Sequence, residues 1–447
     1  MSCDQVVLGN VVTPTGVLTD GAVAIDHGRI TEVVPERDSP DAQKVLDRRG
    51  SWILPGAIDA HVHCFSSPQE GFTNATRAAA AGGVTTIVEM PYDAGAPVNA
   101  RTVLERKIEG LEREAVVDVA LLGTIRKTNG TSEIAGLVDG GVCGFKLSMF
   151  ETDPERFPRI ADGDLLEALS LIGQAGLTVG VHAEDGDIIY PLIEQFQAAG
   201  KTYPRAHCET RPPISETASV ALALELAEAA GARLHIFHAS LPRSIELVGA
   251  HPRATAETCP HYLLLDERDM DHLAGFGKIN PPLRSPESVA GLWDFIERGA
   301  VTMIASDHAP WPAERKSNRD DIFANASGTP GVETLLPLMY SAGVASERIS
   351  IERLAWLLAE SPARTFDLHQ RKGQLAAGFD ADLVVLEPHV TWTMRGAELQ
   401  SSAGWTPYEG RAMTGRVQLT LVRGQVVYDG TEVTATPGYG QFVRPLP

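Results

Sequence analysis

From its first residues the chain alternates apolar and polar positions, as in "QVVLGNVVTPTG" and "GAVAIDHGRITEVV", with breaks at Gly and at Asp-His-Gly. A period of two predicts short antiparallel strands joined by turns. The tail has the same texture: "ADLVVLEPHVTWTM" and "GRVQLTLVRGQVVYDG" read as strands with turn glycines. Between these ends the pattern changes. Short β-rich runs fall around Ile58 to His63, Thr85 to Met90, Val117 to Leu122, Gly144 to Leu147, Thr178 to His182, Leu234 to His238, Ala254 to Thr258 and Val301 to Asp307. Amphipathic stretches such as "SEIAGLVDGG", "DLLEALSLIGQAG", "SETASVALALELAEAAG" and "PESVAGLWDFIERG" lie between them, most ending in the glycine expected past a helix C-terminus.

Alternating strands and helices mark parallel β/α units, and eight of them predict an α/β fold, a TIM-like (β/α)8 barrel. The expected organisation is a barrel over residues 57–366 and a small β-sandwich built from both termini, residues 1–56 and 367–447.

Composition narrows the function classes. At 43% hydrophobic and 21% charged residues the 447-residue chain has ordinary globular values, and no apolar run approaches a membrane-spanning helix. A formal charge of −20 repels nucleic acid and acidic membranes, so neither is an expected partner. Five scattered cysteines contain no C-x-x-C pair, which predicts reduced thiols. The start, "MSCDQVVLGNVV", lacks a basic region and a cleavable apolar segment, and the expected location is the cytoplasm.

The chemistry lies at the strand ends. His61 and His63 follow "GAID", Lys146 follows "GF", His182 follows "TVGV", His238 follows "LHIF" and Asp307 follows "TMIAS". The C-terminal ends of barrel strands carry catalytic groups. Imidazoles and a carboxylate suit divalent zinc, which keeps a position open for water in catalytic sites. His61 and His63 are alternate residues, so both side chains reach the same side and can hold one ion. Lys146 sits in the apolar run "GVCGFKLSMF" with no acidic neighbour in it, an expensive place for an ammonium. If its amine adds carbon dioxide, the resulting carbamate is an anionic two-oxygen group able to bridge two cations.

These residues resemble the cyclic amidohydrolases of the amidohydrolase superfamily, the group of allantoinase, hydantoinase/dihydropyrimidinase and dihydroorotase. The resemblance runs from "LPGAIDAHVH" to "GQLAAGFDADLVVLEP" through "GGVTTIVEMP", "GFK", "VGVHAED", "LHIFHAS", "ETCPHYLLL", "KINPPLRSPE" and "ASDHAP". It implies two divalent metal ions, zinc by preference: His61, His63 and Asp307 on one, His182 and His238 on the second, and carbamylated Lys146 between them. Asp307 would carry a proton from water to the leaving ring nitrogen. The implied substrate is a small cyclic amide, and a homo-oligomer, dimer or tetramer, is expected.

Among the branches, "CETRPPISE", "ETCPHYLLL" and "KINPPLRSPE" are most like allantoinase. By that resemblance Asn280 hydrogen-bonds the ring, with Phe65, Ser148 and Gly331 of "SGTPG" as further substrate contacts. Dihydroorotase resemblance includes an arginine two residues after the second histidine, where this chain has Phe65, and this disfavours dihydroorotate. The segment "CFSSPQEGF" is shorter than the typical allantoinase loop and leaves room for a hydantoin, a dihydropyrimidine or a cyclic imide. A mononuclear deaminase would not need Lys146, and a non-catalytic scaffold would not retain all six ligands. Weaker candidates are Arg284 as a substrate clamp or rim residue, Glu184 as a support for the ligands or a solvated carboxylate, and His261 as an orienting or capping residue. Cys259 reads as a buried small hydrophobe.

Overall fold

Residues 2–446 are described by the computed structural model, in which the two ends of the chain hydrogen-bond to each other. The leading segment forms β1 (Cys3–Thr13), β2 (Gly16–Asp26), β3 (Arg29–Pro35) and β4 (Ala42–Pro55). The barrel strands are β5 (Ala57–Val62), β6 (Val84–Glu89), β7 (Asp118–Gly123), β8 (Gly144–Ser148), β9 (Thr178–His182), β10 (Arg233–Ile236), β11 (Ala254–Thr258) and β12 (Met303–Ile304). The tail adds β13 (Leu383–Thr393), β14 (Ala412–Val422) and β15 (Gln425–Tyr428).

The terminal strands make one hydrogen-bonded order of seven, β15-β14-β13-β4-β1-β2-β3. β4 and β13 pair antiparallel from Leu383 opposite Pro55 to Leu386 opposite Trp52, which joins the two ends. Alternation sorts the side chains: Val7 and Val11 pack with Val23, Ile25 and Ile53, while Val6 and Leu8 pack with Ala22 and Ala24 in a separate cluster. Two features differ from the expected short antiparallel strands. β1 and β2 run for 11 residues each. β1 and β4 are parallel, because the link after β3 returns the chain to the level of Cys3, opposite Ala42.

Eight strands in sequence order form the barrel sheet. It closes where the backbone of His308 exchanges hydrogen bonds with β5 and its extension: His308 N–H donates to His61 O (3.1 Å) and His63 N–H to His308 O (2.8 Å). The eighth strand is shorter than the pattern predicts. Its last ladder bond toward β11 is from Ala305 N–H to Thr258 O (3.1 Å), and the next amide, that of Ser306, donates to the side chain of Asp59 (3.0 Å). The helix Ile134–Gly140 stops at Gly141 (φ 93°) and the helix Pro213–Ala230 at Gly231 (φ 67°), left-handed positions at which a Cβ would be strained. No helix among the described residues is long and apolar enough to cross a membrane.

Candidate metal centre and active site

The barrel brings the six strand-end residues to one place. His61 lies within β5, Lys146 within β8, and His182 ends β9, whereas His63, His238 and Asp307 stand on the backbone that leaves β5, β10 and β12. His238 (φ 42°) and Asp307 (φ 48°) occupy the left-handed region, an outlay of order 1 kcal/mol each that clusters at functional sites.

One ligand group is His61, His63 and Asp307, whose donor atoms lie within 4.8 Å of one another. Nε2 of His61 and of His63 stand 3.0 and 3.6 Å from Oδ1 of Asp307. A second pair faces it: Nδ1 of His182 lies 2.9 Å from Nε2 of His238. Between them in the sheet, Nζ of Lys146 is 2.7 Å from Nε2 of His61, and its charge bears on all four imidazoles.

Burial keeps the imidazoles of this cluster neutral. Desolvation pushes His61, His63 and His238 well below the usual imidazole range, with Lys146 adding to the effect. It also drives Lys146 down to about 8, against the pull of Asp307 and Glu257, and drives Asp307 up, against that of Lys146. Neutral imidazoles and a carboxylate are the donor set of a divalent cation.

Tautomers are set from behind. His61 gives its Nδ1 to the carboxylate of Glu257, which leaves the Nε2 lone pair for the cluster. Glu257 also accepts the backbone N–H of His238 (3.2 Å) and lies 3.3 Å from His235 Nε2. His182 gives Nε2 to Glu184 (2.9 Å), leaving Nδ1 for the cluster. Glu184 in turn accepts Arg211 Nη1 (2.7 Å). Burial alone would raise the Glu184 carboxyl; Arg211 and His182 outweigh that and hold it at about 2. Glu184 is therefore a fully buried support for His182 and not a solvated loop carboxylate. Glu257 was missed in the sequence, although an acid inside a short barrel strand is itself a signal. A lone pair on His61 Nε2 and another on His182 Nδ1, each fixed by a carboxylate behind its ring, fit the donor arrangement that two cations require.

A cavity of about 110 Å³ opens onto the cluster, and His63, Lys146, His182, His238 and Asp307 form part of its wall. Asn280, Ser327 and Gly328 also line it, and Oδ1 of Asn280 is buried without a hydrogen-bond partner. Three expected contacts lie outside this lining. Phe65 packs edge-on against Phe72 (centroids 5.0 Å apart). The Ser148 hydroxyl donates to Phe150 O (2.6 Å), within its own loop. Gly331 gives its N–H to His308 Nδ1 (3.0 Å).

Phe65 thus offers the cavity neither a charge nor a ring. A guanidinium reaches the cavity from elsewhere, on Arg156, and Trp311 completes that wall. Neither carries a periodicity or motif signal. Arg284 is neither clamp nor rim: it is buried, bonding Ser240 Oγ (2.8 Å), Arg211 O (2.5 Å) and Glu216 (3.0 Å). His261 is buried against Tyr262, with Nε2 unpartnered. Cys259 is buried, and desolvation pushes its thiol well up, as a small hydrophobe requires.

Imidazole and carboxylate donors gathered at the mouth of a (β/α)8 barrel, with acids behind the rings of His61 and His182, define a divalent-metal-dependent hydrolase. The chain belongs to the amidohydrolase family, whose model matches residues 52–427. It is 37% identical to an allantoinase of Rubrobacter xylanophilus, over 99% of this chain and 98% of that protein. It is 33% identical to a dihydroorotase of Methanosarcina mazei, over 96% and 94%. The structure of an L-hydantoinase (dihydropyrimidinase) from Arthrobacter aurescens matches with a TM-score of 0.96 at 31% identity, covering 99% of this chain and all of that one.

Proposed function

We propose that this protein hydrolyses an amide bond of a cyclic ureide, an allantoin-like ring, to the open-chain ureido acid. The observation that carries the reading is the convergence of His61, His63 and Asp307 beside Lys146, an amine with no carboxylate in ion-pair contact among the described residues. His61, His63 and Asp307 would hold one zinc ion and His182 and His238 a second, with carbamylated Lys146 bridging them. When bound, the cations polarise the amide carbonyl and make water a nucleophile near neutral pH. Asp307 takes the proton from the attacking water and delivers it to the ring nitrogen as the C–N bond breaks. Oδ1 of Asn280 accepts a ring N–H and holds the ring in the cavity. The wall that includes Trp311 limits the access of bulk water.

A hydantoin, dihydropyrimidine or cyclic imide is the second reading, favoured by the short Cys64–Phe72 segment and by the close fold match to the L-hydantoinase. Ring-opening assays on allantoin, hydantoin, dihydrouracil and succinimide, run beside metal analysis of the purified protein, separate these readings. No turnover of any ring by metal-replete protein rejects them all.

The five cysteines are buried and unpaired, which supports a reducing, cytoplasmic location. Exposed Leu171, Ile214 and Leu222 on neighbouring helices support assembly into a dimer or tetramer, testable by sedimentation.

A further inference from the structure

Arg156 lines the same cavity as Lys146 and Asn280, entering from the loop between β8 and the helix Asp162–Gln174. Two other loops anchor it. Its Nε donates to Tyr92 O (2.6 Å), after β6, and its Nη2 to Ser66 Oγ (3.2 Å), after β5. The indole of Trp311 stands 6.0 Å from the guanidinium carbon.

No carboxylate forms an ion pair with Arg156 among the described residues. Asp93, Asp153 and Glu89 act on it only at longer range. Asp93 and Glu89 are already paired with Lys107. Asp153 lines the cavity too, yet its Oδ1 accepts the backbone N–H groups of Glu155 (3.0 Å) and Arg156 (2.8 Å). A guanidinium has five N–H donors, and only the two above have partners among the described residues. The protein thus holds a cation at the cavity, fixes its orientation and withholds a counter-charge. A planar, doubly accepting oxygen group on the ligand is the complement to that arrangement.

We propose that Arg156 is the specificity-determining residue of this site, and that its guanidinium binds a carboxylate or ureido carbonyl carried on the arm of the ring substrate. The inference rests on the ring-opening function above and assigns the part of the substrate that does not react. The amide to be cleaved lies at the histidine cluster, and the arm reaches Arg156.

The test uses three ligands that share one ring: hydantoin without an arm, allantoin with a ureido arm, and hydantoin-5-acetic acid with a carboxylate arm. Calorimetry on the wild-type protein should show at least one armed ring binding about ten-fold or more tighter than hydantoin. In R156A the ratio of armed to bare affinity should fall about 10- to 100-fold, and R156K should fall between the two because an ammonium cannot form the paired contact. Where rings are opened, the same ratio should appear in kcat/KM, chiefly through KM. Loss confined to hydantoin-5-acetic acid assigns a carboxylate arm, and loss confined to allantoin assigns a ureido arm.

An unchanged ratio in R156A, or equal affinity of the wild-type protein for bare and armed rings, overturns the assignment. Should R156A fail to fold, R156K carries the same test, and an unchanged ratio there overturns it equally. Selective binding without opening of any ring rejects the proposed reaction and leaves the Arg156 contact established.

Discussion

Nζ of Lys146 lies 2.7 Å from Nε2 of His61, inside a pocket of rings in which Phe237 stands 4.6 Å from the same nitrogen. An amine placed there finds nitrogen lone pairs and π faces where a structural lysine would find a carboxylate. A group of opposite charge has to be made on the amine itself or brought in with a ligand.

The first expectation therefore concerns Lys146. Lys146→Ala and Lys146→Arg should both lose metal and most turnover, because neither can form the carbamate. A small carboxylic acid added to the alanine variant should restore part of both. Metal content read by mass spectrometry checks this, and a fully loaded, fully active arginine variant would reject the carbamate.

Asp307→Asn keeps the shape of the side chain and removes its ability to accept a proton. Turnover should fall about 10²- to 10⁴-fold with KM little changed and the circular dichroism spectrum retained. Activity within a few-fold of wild type at neutral pH would take Asp307 out of the proton path.

Glu257→Gln should weaken metal binding by about 10- to 100-fold. The substitution frees the His61 ring from a fixed tautomer and weakens the acceptor that also holds His238 N–H (3.2 Å). Chelator competition measures the shift, and unaltered affinity would show that the rings are oriented by their backbone alone.

Arg211→Ala strands a buried carboxylate. Glu184 would lose its guanidinium partner at full burial, and the expected loss of stability is about 3 kcal/mol. The double change R211M/E184Q should recover much of it, because it removes the charge with its partner. Urea denaturation of the two variants gives the comparison, and equal losses would show that the pair contributes through shape alone.

How much of this was legible in the sequence follows from where each side chain is held. His61, Lys146 and His182 sit in strands, and His63, His238 and Asp307 within three residues after them, so strand order and the C-terminal rule bring them into one cluster. Phe65, like Asp307 three residues past the end of its strand, packs its ring edge-on against Phe72 and does not reach the cluster. Arg156 has no periodic neighbour; it becomes visible only once the loops carrying Ser66 and Tyr92 are placed beside it. Sequence does not tell whether a polar group faces a cavity or is bonded nearby, and Ser148 and Gly331 are hydrogen-bonded to Phe150 and His308 outside the cavity lining. The eighth strand was read too long, because a side chain, Asp59, replaces the ladder partner of Ser306.

The tail of the chain reaches the mouth of the barrel. Ser402 N–H and the Ser401 hydroxyl donate to Glu70, whose other oxygen lies 3.3 Å from His308 Nε2, and the indole of Trp405 donates to Trp311 O (2.8 Å). His308 follows Asp307, and Trp311 is part of the cavity wall. During synthesis the ribosome releases all six residues of the cluster about a hundred residues or more before Trp405. A nascent chain ending before Ser401 would carry all six residues and lack the bonds that Ser401, Ser402 and Trp405 make to Glu70 and Trp311. The bonds from Ser401, Ser402 and Trp405 thus make the wall beside Asp307 depend on a segment far along the chain.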